Sequence, residues 1–248
     1  MLFKKIIPGS TSSMTIVDHN ETYGRHNLEK AARMLEISKC VDIGCGYGGD
    51  LSIVSKHHPK AELFGIDTAF GNRDQLQSRG IKTLSLNIEN EKLPFEDGSI
   101  DFIIANQVLE HTKEIFWINH EIFRCLKTGG ALFLGVPNLL SLHNRILMLF
   151  GFHPTAHKLT SAHVRVFSKR DTLIFYNDIG NSFCKVEKYW GSQFYPFPKT
   201  ISRFLANILP NLAFSSFYLI RKTGPYCNEF KEWPEYAKLQ TNFFAGKE

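Results

Sequence analysis

The sequence predicts an α/β fold in which a mostly parallel β-sheet carries helices on both of its faces. Short apolar runs alternate with helical patterns from residue 40 to residue 138. A glycine-rich turn, GCGYGG, directly follows the first apolar run. The 248 residues are 43% hydrophobic and 21% charged, which is ordinary for a chain that buries a core. Ligands of such sheets bind beyond the carboxyl ends of the strands, so we expect the chemistry there.

Seven strands are expected, five before residue 139 and two that close the sheet near the end of the chain. The strands are predicted at 40–44, 61–67, 81–87, 100–107, 131–138, 183–191 and 214–224. Helices are predicted at 49–58, 72–80, 114–128 and 169–180. Residues 139–168 begin as an amphipathic helix, break at Gly151 and Pro154, and carry four histidines. We interpret them as an insertion after the fifth strand.

The cysteine and charge content indicate the compartment of the protein and the class of its partners. Five cysteines without a CxxC pair favour reduced thiols in a cytoplasmic protein over a disulfide framework. The first ten residues, MLFKKIIPGS, lack the apolar region of a secretory signal. The net charge is +5 without a run of five basic residues, so no nucleic-acid partner is expected. A mildly basic surface suits an anionic small molecule or a membrane surface equally well.

Residues 204–220 form the longest apolar stretch. This stretch has 17 residues and includes Pro210, whereas a membrane-spanning helix needs about 20 apolar residues. A buried helix end that runs into a strand is therefore expected, with no stable membrane insertion. The apolar positions of 139–152 and 201–220 are expected to pack in the core. The alternatives are a greasy pocket or contact with a membrane surface.

The stretch KCVDIGCGYGG, residues 39–49, matches two glycine patterns. Gly44, Gly46 and Gly49 satisfy GxGxxG, the dinucleotide fingerprint, with Asp67 about 20 residues further on. The same letters also form D-x-G-x-G-x-G from Asp42, so the glycines alone do not choose a ligand. An acid inside a buried strand favours a ligand that brings positive charge, such as S-adenosylmethionine. Pairing of Asp42 with a lysine or a backbone amide is the alternative.

From Val41 to about Gly180 the chain resembles the class I S-adenosylmethionine-dependent methyltransferases of the small-molecule type. The resemblance rests on VDIGCGYGG, LFGID, NIENEKLPFEDGSIDFIIANQVLEH and EIFRCLKTGGALFLGVPN, in this order. The block HVRVFSKRDTL is similar to a late element of small-molecule members. The resemblance implies a Rossmann-like, seven-stranded, mostly parallel sheet with helices on both faces and an insertion after the fifth strand.

No linker or internal repeat separates a second domain, so residues 1–248 are interpreted as a single methyltransferase domain. Its expected parts are an N-terminal cap segment (1–38), a cofactor-binding core (39–138), a substrate-side insertion (139–168), a closing helix and strands (169–224) and a loose tail (225–248).

The resemblance implies cofactor-binding roles at the first two strand ends. Backbone at Gly44, Cys45 and Gly46 would pass close to the methionine and ribose parts of S-adenosylmethionine. Asp42 would orient the methionyl ammonium, directly or through water. Asp67 would accept hydrogen bonds from both ribose hydroxyls, since two adjacent donors suit one carboxylate.

The later strand ends would contact the rest of the cofactor. The remaining cofactor-binding candidates are Thr68, Asn87, Ile88, Asn106 and Gln107. Asn87 and the backbone amide of Ile88 would meet the adenine, while Asn106 and Gln107 would lie beside the methionyl chain. Many relatives carry Asp where this chain has Asn87, so that contact is expected to be weaker. Glu89 is an alternative acceptor.

Histidines are the candidate catalytic residues, because a hydroxyl acceptor benefits from a general base. His111 follows the fourth strand, and its alternative role is to pack against or cap the next helix. The insertion offers His157 and His163. The spacing H-x3-H-x5-H from His153 suggests a metal site, but Pro154 prevents a regular helix and no cysteine joins the set. No metal is expected.

The substrate-binding candidates lie before and after the cofactor-binding core in the sequence, and most of them are basic. Arg145 and Arg165 could clamp a phosphate or carboxylate, or be solvated charges. Tyr23, Arg25 and His26 precede the first strand and could touch the substrate or the methionyl carboxylate. An ordinary helix start is equally consistent with that segment.

The expected reaction is methyl transfer from S-adenosylmethionine to a small molecule, with S-adenosylhomocysteine as the product. The favoured acceptor is an oxygen of a sugar, a phosphorylated metabolite or a polysaccharide precursor, in a monomeric or homodimeric enzyme. A lipid or quinone acceptor is the alternative. A non-catalytic cofactor-binding protein and a nicotinamide-dependent oxidoreductase are the alternatives from other classes.

Overall fold

The computed structural model describes residues 19–240, except Ala156 and Leu159, and residues 242–246. Seven strands form one sheet in the order β3-β2-β1-β4-β5-β7-β6. They are β1 Lys39–Ile43, β2 Glu62–Asp67, β3 Ile81–Ser85, β4 Ile100–Asn106, β5 Leu126–Pro137, β6 Cys184–Ser192 and β7 Ser215–Lys222. Among these seven strands, β7 runs in the opposite direction to the other six. The predicted Rossmann-like, mostly parallel sheet of seven strands is confirmed.

Helices connect the strands and flank the sheet. In the described part of the chain the α-helices are α1 His19–Thr22, α2 Arg25–Ala32, α3 Gly49–His57, α4 Arg73–Ser78, α5 Ile115–Cys125, α6 Leu142–Leu149, α7 Lys169–Ile174, α8 Lys199–Ile208 and α9 Glu229–Tyr236. A π-helix, Phe175–Ile179, extends α7, and 3₁₀ turns lie at Leu109–His111 and Pro210–Leu212. No helix among these described residues has both the length and the apolar content needed to cross a membrane.

The central strands are buried on both faces, which explains their nearly continuous apolar runs. Along β4, Phe102 and Ile104 join the apolar cluster beneath α2 and α3, while Ile103 joins the cluster beneath α5. Successive residues of the strand therefore pack on opposite faces of the sheet, because side chains alternate between the two faces of a strand. The carboxyl ends of β1, β2 and β4 lie side by side as a consequence.

The segment "KTGG" lies within β5, whereas the sequence analysis ends a helix there and begins the strand at residue 131. The register between β4 and β5 shifts between Ile100 and Phe102, opposite this segment. Gly129 has φ of +90°, and a Cβ at Gly130 would lie 2.9 Å from the carbonyl oxygen of Asp101. The glycines therefore allow an irregular strand where two backbones approach closely.

The C-terminal residues are anchored to the core, which corrects the expectation of a loose tail from residue 225. Phe230 on α9 is fully buried. Its ring centroid lies 5.4 Å from that of Phe123 on α5 and 5.2 Å from that of Phe175. Tyr226 also packs against Phe183, at 4.9 Å. Part of the abundant phenylalanine thus forms an aromatic cluster that joins α9 to α5 and to the π-helix.

The expected core packing of residues 139–152 and 201–220 is correct for β7 and for Ala206 and Ala213, but not for the large apolar side chains at the outer faces of the helices. Phe217 to Ile220 on β7 are fully buried. In contrast, α6 and α8 direct large apolar side chains outward, including Leu149, Phe150 and Phe204. The prediction that a helix end runs into a strand across 204–220 is confirmed by α8 and β7.

Candidate active site

A cavity of about 310 Å³ opens at the carboxyl ends of β1, β2 and β4. Seven of the residues that line it are predicted site residues: Gly44, Asp67, Thr68, Asn87, Ile88, Gln107 and His111. The fold therefore gathers residues that are up to 67 positions apart, His111 being the most distant from Gly44. This position agrees with the rule that open parallel sheets bind ligands beyond their strand ends.

The glycine turn forms one wall of the cavity, with its backbone held close to β2. The amides of Gly44 and Cys45 both donate to the carbonyl oxygen of Ile66, at 2.8 and 3.0 Å. Gly44 has φ of +69°, and a Cβ there would lie 2.5 Å from a methyl group of Val108. Gly46 also has a positive φ, but no atom lies within 4 Å of its added Cβ. A ligand can therefore approach the backbone directly at Gly46.

Asp67 is held against this turn by backbone amides. One carboxylate oxygen accepts from the amide of Gly46 at 3.2 Å, and the other accepts from the amide of Thr68 at 2.8 Å. A carboxylate has about four acceptor positions, so these two bonds leave capacity for two hydroxyl donors. The geometry suits a vicinal diol such as a ribose.

A buried acidic pair lies beneath the turn. Asp42 on β1 is only 3% exposed, and burial, followed by the nearby charge of Asp50, raises its pKa well above the usual value. Asp50 on α3 accepts from Arg25 Nε at 2.8 Å and from Asn106 Nδ2 at 2.6 Å. The sequence analysis did not select Asp50, although its place in the first turn after the glycines was a usable signal. Two carboxylates beside one guanidinium favour a cationic ligand group.

Of the three N-terminal candidates, Tyr23 and Arg25 lie near the acidic pair, and His26 does not. Asn106 Nδ2 donates to the backbone carbonyl of Tyr23 at 2.9 Å, and Arg25 lies 5.1 Å from the centre of the Tyr23 ring. His26 instead lies 3.9 Å from Glu21, and burial lowers its pKa to about 4. The structure thus places Tyr23 and Arg25 next to the predicted cofactor residues, but it places His26 beside Glu21.

Two buried polar atoms at the end of β4 have no hydrogen-bond partner in the described part of the chain. They are Oδ1 of Asn106 and Nε2 of Gln107. Gln107 also has φ of +59°, a conformation that costs about 1–3 kcal/mol in a residue other than glycine. The backbone amide of Gln107 donates to the carbonyl oxygen of Gly135 at 2.8 Å, and this bond holds the strained backbone in place. Unpaired groups and local strain beside a cavity are typical of a ligand site.

The loop after β3 is organised by its own side chains. Asn87 Oδ1 accepts from the amide of Glu89 at 3.1 Å. The carboxylate of Glu89 accepts from the amides of Lys113 and Glu114, at 2.8 and 3.0 Å. Glu89 therefore caps the approach to α5, which makes it a poor substitute for Asn87 as the adenine contact.

The insertion folds back onto the 3₁₀ turn that carries His111. The amides of Val164 and Arg165 donate to the carbonyl of Glu110 at 2.8 and 3.1 Å. As a result the ring centroid of His163 lies 4.7 Å from that of His111. The His157 ring follows at 6.5 Å from that of His163. The three candidate catalytic histidines are thus neighbours, but only His111 lines the cavity, whereas His157 and His163 line a separate, smaller one.

Glu110 lies beneath these histidines and was also missed by the sequence analysis, although it is part of the quoted motif. Its side chain is 1% exposed, one carboxylate oxygen has no partner among the described residues, and burial raises its pKa to about 8. The other oxygen lies 3.9 Å from His111 Nε2. In the described part of the chain, Glu110, His111 and His163 bring possible metal-ligand atoms within 4.8 Å of one another. Ligand atoms around tetrahedral zinc lie roughly 3.3 Å apart, so this grouping is looser than a formed site.

Arg145 and Arg165 line separate cavities, so they do not form one clamp in this structure. Arg165 donates to the carbonyls of Thr112 and Lys113, and burial lowers its pKa. Arg145 donates to the carbonyl of Leu140 at 2.7 Å. Each guanidinium therefore supports local backbone, and Arg165 lies beside His157 and His163.

A family profile described as "Methyltransferase domain" matches residues 41–134, which include most of β1 and β5, all of β2 to β4 and the cavity. Residues 41–134 are thus a methyltransferase domain of the class I S-adenosylmethionine-dependent type.

Sequence relatives of the methyltransferase act on chemically different acceptors. Malonyl-[acyl-carrier protein] O-methyltransferase of Legionella pneumophila is 27% identical over 38% of this chain and 34% of its own length. Trans-aconitate 2-methyltransferase of Rhodopseudomonas palustris is 28% identical over 50% of this chain and 49% of its own length. The chain thus spans between a third and a half of the length of these two relatives.

Solved structures support the fold of the methyltransferase. An S-adenosylmethionine-dependent methyltransferase from Aquifex aeolicus aligns with a TM-score of 0.56 at 15% identity. The alignment covers 84% of this chain and 94% of that one. At this identity the likeness concerns the architecture alone.

Proposed function

We propose that this chain transfers a methyl group from S-adenosylmethionine to a small-molecule acceptor. The favoured acceptor atom is an oxygen of a sugar, a phosphorylated metabolite or a polysaccharide precursor. The observation that carries the proposal is the cavity itself, where Asp67, the backbone of Gly44 and Gln107, whose Nε2 has no partner among the described residues, lie together with His111.

The residues of the cavity fit the cofactor. Asp67 has acceptor capacity for the ribose hydroxyls, and the open backbone at Gly46 leaves room for the sugar. Asp50 lies beside Asp42, whose raised pKa favours the neutral carboxyl in the free protein, and an ammonium group bound there would favour the ionised form. When bound, the cofactor supplies an electrophilic methyl group on a sulfonium. The protein's main contribution is then alignment, because holding two reactants in attack geometry removes a large entropic cost.

His111 is the first candidate for the general base, since it is the histidine that lines the cofactor cavity. Its Nδ1 lies 3.3 Å from the carbonyl oxygen of Ala162 and can donate to it. That tautomer leaves Nε2 unprotonated and able to take a proton from a hydroxyl acceptor. His157 and His163 are the further candidates, either as bases or as contacts to the acceptor.

Methyl transfer to cell metabolites tests this function. We expect the purified protein to move tritium from methyl-labelled S-adenosylmethionine into the polar fraction of a metabolite extract. His111→Ala should lower the turnover by about 10²–10⁴, the usual contribution of a general base, while exposed His153→Ala should not. EDTA should leave turnover unchanged if the histidines act as bases.

Other outcomes separate the alternatives. Label in the organic-soluble fraction would favour a lipid or quinone acceptor. Binding of S-adenosylhomocysteine without transfer into any fraction would favour a non-catalytic binding protein. Loss of turnover with EDTA, restored by a divalent ion, would contradict the metal-free reaction.

A further inference from the structure

Helices α6 and α8 bury small or polar side chains and expose their large apolar ones. On α8 the buried residues are Ser202 and Ala206, whereas Ile201, Phe204 and Ile208 are exposed. The exposed residues recur at spacings of three and four, so they form one continuous stripe. A helix that packed only against its own protein would have the opposite orientation.

The same inversion occurs on α6 and the turn that follows it. The buried side chain of α6 is Asn144, which donates to the carbonyl of Asn138 and accepts from the amide of Thr155. Leu149 is 81% exposed and Phe150 is 71% exposed, and Phe152 follows them at 65%. Exposed apolar residues of this size, on two helices, are typical of an interaction surface.

The two helices belong to adjoining parts of the molecule. The ring of His143 on α6 lies 4.5 Å from that of Tyr195, four residues before α8 begins. Asn138, ahead of α6, donates to the carbonyls of Asn211 and Ala213, beyond α8. We call these exposed apolar residues of α6, its following turn and α8 the α6–α8 surface.

The segments that carry this surface contain no acidic residue. Residues 139–170 have five basic residues, Arg145, Lys158, Arg165, Lys169 and Arg170, and no Asp or Glu. Residues 188–228 likewise contain no Asp or Glu. From outside these segments, buried Glu21 pairs with Arg203 and Lys199 on α8. The net charge around the α6–α8 surface is therefore positive.

We propose that the α6–α8 surface docks on a membrane that contains anionic lipids. Exposed Phe, Leu and Ile beside Lys and Arg are the combination with which interfacial helices enter the headgroup region. The basic residues add electrostatic attraction to an anionic leaflet. A second copy of this chain is the poorer partner, because a two-fold contact would bring the same positive segments face to face.

Docking of this kind would place the histidine-bearing insertion near the lipid–water boundary, since α6 is part of it. It requires no bound cofactor and is independent of the methyl-transfer proposal. The peripheral contact also agrees with the finding that no helix among the described residues could span a bilayer.

Vesicle co-sedimentation of the full chain tests the proposal. We expect the protein to bind vesicles of phosphatidylcholine with phosphatidylglycerol, and to bind pure phosphatidylcholine vesicles at least about tenfold less. Raising the salt to roughly 0.5 M NaCl should release most of the protein. No binding to anionic vesicles, or equal binding to both kinds, would overturn the proposal.

Surface variants locate the contact. The double variants Phe150→Ser/Phe152→Ser and Ile201→Ser/Phe204→Ser should each reduce vesicle binding at least about fivefold. The control Met34→Ser/Tyr236→Ser removes exposed apolar side chains elsewhere and should bind as the wild type does. Equal losses in the control would overturn the proposal.

Light scattering tests the alternative of a second copy. If the wild type forms a dimer, the surface variants do not, and no vesicles are bound, the α6–α8 surface is a contact between two copies and the membrane proposal is wrong. An unchanged melting temperature establishes that each variant is folded.

Discussion

At the scale of single residues, two buried carboxyl groups, Asp42 and Asp50, lie beneath the glycine turn. Asp42 and Asp50 lie close enough for the charge of Asp50 to raise the pKa of Asp42, and Arg25 pairs with Asp50. Burial opposes the ionised form of Asp42, so the free protein is destabilised whenever that carboxylate carries its charge. A cationic ligand group nearby would relieve this cost.

Asp42→Asn should therefore have opposite effects on stability and on binding. We expect the free variant to gain about 1 kcal/mol in its free energy of unfolding, because burial opposes the ionisation of Asp42 and a neutral amide avoids that cost. Binding of S-adenosylhomocysteine should weaken by about tenfold or more, because the ammonium loses its counter-charge. Urea unfolding and calorimetric titration measure the two effects. A variant that loses stability and binds normally would show that Asp42 is only a structural residue.

Glu110 gives the stability of the protein a specific pH dependence. Burial raises its pKa to about 8 from a usual value of 4.5. Between these two pH values the folded state therefore keeps a proton on Glu110 that the unfolded state has lost. The resulting stabilisation is fully present below pH 4.5 and is lost as the pH rises to about 8, by about 1.4 kcal/mol for each pH unit.

Glu110→Gln removes this titration. Urea unfolding of the variant between pH 5 and about 8 should show a flatter decline in stability than the wild type. Exposed Glu96→Gln serves as the control and should follow the wild type. Parallel curves for Glu110→Gln and the wild type would contradict the raised pKa.

At the scale of elements, the motif LPFEDGSIDF is explained by its contacts with α5. Arg124 donates to both carboxylate oxygens of Glu121, to the carbonyls of Leu93 and Phe95 and to Asp97. Glu121 also accepts from the amide of Leu93, at 2.7 Å. This network fixes the segment that leads from the loop after β3 into β4.

Arg124→Gln should destabilise the protein by about 3–5 kcal/mol, because it leaves Glu121 buried without its charge partner. The exposed pair of Arg33 and Glu29 provides a matched comparison, and Arg33→Gln should cost less than about 1 kcal/mol. Urea unfolding of both variants makes the measurement. Similar losses in the two would mean that the buried network contributes no more than a surface ion pair.

The elements that sequence patterns missed are those whose environment is set by distant parts of the chain. The periodicity of α8 shows an apolar stripe, but it does not show whether the stripe faces the core or the solvent. The structure seats Ser202 and Ala206 against the protein, and Ser202 Oγ accepts from the amide of Phe194. Likewise, the "TGG" motif is a common helix stop, yet here Gly129 and Gly130 permit an irregular strand. Local pattern cannot distinguish such cases.

At the scale of the whole molecule, the strand order and the position of the cavity could be predicted because alternating strands and helices allow few topologies. Asp67 and Gln107 were predicted from the strand ends that they follow, and the structure places both in the lining of the cavity. Asp50 and Glu110 were not found, because their importance comes from burial and from partners on other elements. The contacts of the insertion could not be predicted either, because no periodicity encodes them.

Calorimetric titration with S-adenosylhomocysteine and, separately, with NAD tests most directly whether this cavity is an S-adenosylmethionine site. We expect saturable one-to-one binding of S-adenosylhomocysteine, no binding of NAD, and at least about tenfold weaker binding by Asp67→Ala, whose substitution removes the ribose acceptor. Exposed Asp74→Ala should bind as the wild type does. Saturable binding of NAD with none of S-adenosylhomocysteine, or unchanged binding by Asp67→Ala, would contradict the assignment.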